Sequence, residues 1–168
     1  MKKIIFSIVL FTMASYATGQ VAVGKLTVDG NSTLLDFYDQ ADNFRGIILP
    51  AVDAVPPAPV NGTFLFDRSD KKLKMYEAGV WVELSGEGSD TFVITNTSPE
   101  TGEKTIVGDK ESAVDGALVL ESPDKAMVLP HIANPHTTVK SPYPGMVCFD
   151  TVSNTLAVFD GMVWNYWK

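Results

Sequence analysis

Cysteine occurs once in this chain, at Cys148, and histidine twice, at His131 and His136. A lone thiol excludes an internal disulfide. Two histidines five residues apart, with no second cysteine or third histidine, fall short of an ordinary zinc ligand set. Basic residues are scarce too: 13 Lys and Arg stand against 20 Asp and Glu, a formal net charge of −7. A chain of that sign repels nucleic acid and anionic lipid, and its one basic cluster, Lys71, Lys72 and Lys74, reads as a solvated turn. Nucleophile-elbow, P-loop and dinucleotide signatures are all missing. Beyond the first residues, no apolar run approaches the roughly 18 residues that a spanning helix needs.

Those first residues read as an export device. Lys2 and Lys3 precede an apolar run from Ile4 to Ala14, and Ala17-Thr18-Gly19 sets small residues before Gln20. This is the pattern of a secretory signal peptide over residues 1–19, too short for a membrane span. Removing it takes two lysines, so the exported chain carries about −9 at neutral pH. The destination is the periplasm, the cell surface or the exterior. Gln20, not Cys, follows the cut, which disfavours a lipid anchor, and a membrane barrel is disfavoured by strands that are short and broken by proline.

What the sequence does contain, it contains twice. At a fixed offset of 83, residues 62–84 and 145–167 share six of 23 positions: Gly62/Gly145, Phe66/Phe149, Asp67/Asp150, Leu73/Leu156, Val80/Val163 and Trp81/Trp164. Ordinary composition gives about one or two matches by chance. The correspondence extends upstream, through Val28-Asp29-Gly30 and Val114-Asp115-Gly116, then through Gly46-Ile47-Ile48-Leu49-Pro50 and Ala126-Met127-Val128-Leu129-Pro130. Such self-similarity sets the architecture and provides a control copy for every proposed site.

Each copy predicts the same short strands. Leu34 to Phe37 and Ala117 to Leu120 come first, then the Leu-Pro strands, which proline terminates. Loops of unequal length follow, 51–61 and 131–144. Three strands then form a meander: Thr63 to Phe66, Leu73 to Tyr76 and Val80 to Leu84, matched by Met146 to Phe149, Thr155 to Phe159 and Val163 to Trp167. Asp67 and Asp150 open polar turns, and Glu77 and Asp160 stand at tight ones. Ser85 to Asp90 reads as a linker, and Thr91 to Thr95 as one extra strand. The predicted fold is all-β, with no amphipathic helix: a first β-repeat module over 20–87 and a second over 88–168, stacked or trimeric. A module of some 65 residues buries only about 60 % of its extended surface, which favours stacking and self-association.

The paired strings GTFLFDRSDKKLKMYEAGVWVEL and GMVCFDTVSNTLAVFDGMVWNYW resemble a repeat of secreted and tail-fibre-like proteins of Bacteroidota. The shared pattern is Leu-Pro, a loop, Gly, an aromatic-Asp strand end, Leu-x-x-aromatic, Gly and Trp. Here it is carried by Leu49-Pro50, Gly62, Phe66-Asp67, Leu73, Tyr76, Gly79 and Trp81. The second set is Leu129-Pro130, Gly145, Phe149-Asp150, Leu156, Phe159, Gly161 and Trp164. The resemblance implies a fibre or adhesin component on the cell exterior, often trimeric, without a catalytic site. In such proteins the loop after Leu-Pro is often a short helix, which the prolines here are expected to forbid.

Candidate functional residues are few. Cys148 stands where the other copy has Leu65, and His131 where it has Ala51, so neither position demands its chemistry. Trp81 and Trp164 recur in step and are assigned to packing. Tyr143, Tyr166 and Trp167 are not repeated, which makes them candidates for contact with a partner protein or a glycan. Asp150-Thr151-Val152 resembles the O-glycosylation motif of exported Bacteroidota proteins, making Thr151 a candidate modification site. No enzyme, metal or cofactor is predicted. The expected function is a secreted or surface structural or adhesion protein, contacting partners through loops 51–61 and 131–144 and the C-terminal aromatics. A carbohydrate-binding module and a small structural subunit of an outer-membrane machine are the alternatives.

Overall fold

Alternation of apolar and polar residues over four to six positions, bounded by Gly, Pro and Asp, produces short strands and little else. The computed structural model describes residues 19–95, 102 and 104–168, so the segment read as an export signal lies, apart from Gly19, outside the described residues. In chain order the strands are β1 Val21–Val23, β2 Thr33–Phe37, β3 Ile47–Ile48, β4 Ala51–Val52, β5 Thr63–Asp67, β6 Lys72–Glu77 and β7 Val80–Glu83. The second set is β8 Thr105–Val107, β9 Leu118–Leu120, β10 Ala126–Met127, β11 His131–Ile132, β12 Met146–Asp150, β13 Thr155–Phe159 and β14 Trp164–Trp167. The fold is all-β, its short parallel pairs giving a solenoid-like layering of several small sheets.

The repeat is reproduced in register, not only in composition. Thr63 pairs with Tyr76 and Asp67 with Lys72 across β5 and β6; Met146 pairs with Phe159 and Asp150 with Thr155 across β12 and β13. Every one of these partners is displaced by the same 83 positions. Each sheet gains a parallel strand on the other side, with Ala51 opposite Phe66 and His131 opposite Phe149. On the outer strands β7 and β14, Trp81 lies opposite Tyr76 and Trp164 opposite Phe159, with ring centroids 5.2 and 5.4 Å apart. Both tryptophans are half-buried, and Trp164 packs on the cluster of Ile132, Met146, Cys148 and Ala157. Gly62 and Gly145 share a φ of +87°, a conformation that a side chain would strain.

The two copies are interlocked. The first copy's Leu-Pro strand, β3, leaves its own sheet and pairs antiparallel with β12, Ile48 opposite Met146 and Ile47 opposite Val147. The second copy's Leu-Pro strand, β10, reaches the other way and pairs parallel with β2. Between them lies the principal core, where Phe66, Leu73 and Leu84 of the first copy meet Val147 and Val158 of the second. Fully burying side chains of this size contributes about 1.5–3 kcal/mol each, so the contact between copies is a main source of stability.

Three local features depart from the sequence expectation. The segment read as a flexible linker is packed: Ser85 Oγ accepts the Leu73 N–H at 3.0 Å, and the Gly88 and Ser89 N–H groups donate to Lys71 O and Asp160 O. A Cβ on Gly88 would stand 2.0 Å from Asp160 O, so the approach requires glycine. Thr91 to Thr95 is not a strand, since no neighbouring strand accepts it; Val93 packs on the core while Phe92 and Ile94 face solvent. A one-turn helix, α1, does form in the second loop, at Pro135–Thr138. Proline is tolerated there because it occupies the first turn, where its missing N–H has no intrahelical partner anyway.

Lys71 and Asn154 are equivalent turn residues, both left-handed at φ 58° and 55°. Asn tolerates that conformation and Lys does not. Lys71→Asn is therefore expected to stabilise the chain by about 1 kcal/mol, and Gly88→Ala to destabilise it by about 1–3 kcal/mol. Urea unfolding of the two variants checks both signs.

Candidate functional site

Asp67 and Asp150, repeated acids that end equivalent strands of the two meanders, are each only 2 % exposed. Asp67 Oδ1 accepts from the Ser69 N–H at 2.9 Å and the Ser69 hydroxyl at 2.6 Å, and Oδ2 accepts from Lys74 Nζ at 2.7 Å. Asp150 Oδ1 accepts the Val152 and Asn134 N–H groups, both at 3.0 Å, and Oδ2 accepts the Ser153 hydroxyl at 2.6 Å. Burial alone would raise both carboxyls. For Asp67 the bonds from Lys74 and Ser69 outweigh it, and for Asp150 those from Ser153, Val152 and Asn134 do, so both titrate below the ordinary carboxylate value. These are turn-closing groups with their lone pairs already engaged. A general acid or base needs a free, accessible proton site.

The same answer holds for the other titratable candidates. Cys148 is fully buried, and that burial, with the nearby Asp150 charge adding to it, pushes its thiol up to about 12. It stays protonated and unreactive at neutral pH. His131 lies against the Phe149 ring, 5.4 Å between centroids, while His136 Nδ1 hydrogen-bonds Tyr166 OH at 2.8 Å. The two imidazoles thus serve different neighbours. Among the described residues no cluster of three or more His, Cys, Asp or Glu is placed to hold a metal. Asp160 accepts from the Met162 and Val163 N–H groups at 2.8 Å, whereas its repeat counterpart Glu77 is exposed; the shared acid closes the turn in one copy only. A shallow depression of about 260 Å³ opens beside Leu34, Gly108 and Glu121–Lys125. Its Glu121 carboxylate is taken by Ser112 and its Asp124 by Ser122.

The unrepeated aromatics are all used for contacts that the repeat does not supply. Tyr143 OH accepts the Ile94 N–H at 2.6 Å, fixing the segment after the linker. Trp167 Nε1 donates to Leu84 O at 2.7 Å, a bond between equivalent positions of the two copies. Tyr166 holds His136. Tyr166 and Trp167 keep 40 % and 41 % of their surface exposed, but as adjacent strand residues they project to opposite faces of β14. They offer two separate apolar footholds and no single stacking platform. Thr151 is exposed on its turn, although the Asp150 carboxylate beside it faces inward.

Two groups escaped the sequence reading. Asn43 is buried, and its Nδ2 donates to Tyr38 O, Arg45 O and His131 O, fastening a first-copy loop to β11 of the second copy. Lys25 Nζ lies 2.7 Å from both Asp29 and Asp36. Burial works against the Lys25 charge, yet the bonds to Asp29 and Asp36 prevail and raise its pKa, while Asp36 is lowered. The repeat could not announce either group, because Asp36 corresponds to Val119 in the second copy.

Compared with protein-family models, curated proteins and solved structures, the chain matches none. No helix among the described residues is long and apolar enough to cross a membrane.

Removing the Asp150 carboxylate strands two turn N–H groups, so Asp150→Ala is expected to cost about 3 kcal/mol while Thr151→Ala changes little. Paired urea titrations check the contrast. Asp36, Asp67 and Asp150 all have folded pKa values below the unfolded carboxylate value of about 3.9. Their contribution is complete above that value and disappears as pH falls through the lower folded values. The urea midpoint should accordingly hold steady down to about pH 5 and decline below about pH 4.

Proposed function

We propose that this chain is a non-enzymatic, secreted or surface-displayed structural or adhesion protein, one that forms or decorates a fibre-like assembly outside the cell. Its partners are other protein chains, further copies of itself among them, with a homotrimer as the expected state. The observation that carries the proposal is how the two classes of side chain are distributed. Three of the four repeated acids, Asp67, Asp150 and Asp160, are enclosed within turns, while large apolar side chains stand out on short strands and loops: Val23, Phe44, Ile48, Leu118 and Met127. A chemical site needs the opposite distribution, and strand edges with apolar side chains are what protein association covers. The resemblance of the two meanders to the Bacteroidota tail-fibre-like repeat supports the same assignment, as does the export signal.

A glycan is the alternative ligand, favoured by the half-exposed rings of Tyr166 and Trp167. Affinity capture with the tagged exported protein from native envelope separates the two. Recovery of envelope or fibre proteins together with further copies of the chain is the expected result. Recovery of neither, with sugar binding on a glycan array that Trp167→Ala abolishes, would replace assembly by carbohydrate recognition.

A further inference from the structure

The Leu-Pro strands β3 and β10 are repeat equivalents, yet they use opposite edges. In β10 the N–H of Ala126 donates to Ser32 O at 2.8 Å, and that of Val128 to Leu35 O at 2.9 Å. In β3 the bond to the neighbour comes from the next alternate position, Leu49 N–H to Gly145 O at 2.9 Å, and Ile47 and Ile48 lie opposite Val147 and Met146. Successive N–H groups of a strand point to opposite sides. The Leu-Pro strand therefore has one edge that binds forward, onto the meander of the following copy, and one that binds backward, onto the β2-type strand of the preceding copy. Within one chain, the first copy uses only the forward edge and the second only the backward edge.

Four strand edges are left over, and they match in pairs. The backward edge of β3 is of the kind that binds a β2-type strand, and the second copy's strand of that kind, β9, has no partner on its outer side among the described residues. The forward edge of β10 is of the kind that binds the start of a meander, and the start of β5, Thr63 and Phe64, is uncovered in the same way. Burial follows the pattern. Leu35, beneath β10, is 4 % exposed, whereas its equivalent Leu118 on β9 is 48 % exposed. Met146 and Val147, beneath β3, are buried, whereas Thr63 and Phe64 are only partly so.

We infer that the occupant of both edges is a second copy of this chain, joined head to tail, its first copy of the repeat docking on the second copy of its neighbour. This rests on the assembly role proposed above and specifies its contacts. The junction would repeat between chains what β3 and β10 already do within one: Ile47 opposite Leu118, Val128 opposite Thr63 and Met127 opposite Phe64. Because the donor and recipient surfaces differ, the contact is heterologous, and it continues until a ring closes or a fibre grows.

The test uses the exported chain and three variants. Light scattering over a concentration series should give a mass that at least doubles for the native chain and stays at one chain mass for Leu118→Lys, whose circular dichroism spectrum should be unchanged because the side chain is exposed within one chain. Thr63→Cys and Val128→Cys, mixed and mildly oxidised, should give a disulfide-linked pair between the two variants and none within either alone; buried Cys148 stays silent. Association that survives Leu118→Lys, or linkage within one variant, would overturn head-to-tail pairing and leave an assembly role standing. A single chain mass for the native protein at every concentration would overturn the pairing as well, and envelope capture alone would then decide the broader role.

Discussion

Neither copy of the repeat can complete its own sheet. A module of this size has too little interior to exclude water from both faces of a meander, and a single cysteine supplies no internal disulfide. The remedy is mutual: β3 covers the start of β12, β10 covers β2, and the Phe66 face of one meander packs on the Val158 face of the other. The packed segment at Gly88 and the bonds from Asn43 and Trp167 across the copies all depend on that arrangement.

The same constraint accounts for the inward placement of the conspicuous acids. A small β scaffold of tight turns needs groups that can close them, and Asp is the best such residue. The conspicuous acids, Asp67, Asp150 and Asp160, are accordingly turned inward, each accepting three hydrogen bonds. The outside combines exposed charged residues, such as Glu77, Glu83 and Asp124, with apolar strand surface and aromatic edges.

The meander was legible because its determinants are local. Alternation, the Asp turns, the glycines at positive φ and the Trp beside its aromatic partner all act within some 20 residues, and the second copy confirmed each of them. The exchange of β3 and β10 was not legible, since strands of two residues carry no signal of which neighbour they will pair with. Asn43 and the Lys25–Asp36 pair were missed because they occur once, and the repeat was the main guide. The helix at Pro135 was missed through treating proline as a helix breaker at every position, when its effect depends on the turn that it occupies. Thr91 to Thr95 shows the converse error: alternation alone does not make a strand without a neighbour to bond.

The account centres on the claim that the two copies fold as one unit, each finishing the other. Circular dichroism melting of residues 20–87 alone, and of the same segment mixed with 88–168, tests it most directly. The first half should show no cooperative transition by itself and regain one on mixing. A cooperative melt of the isolated half, at a temperature close to that of the whole chain, would contradict the claim.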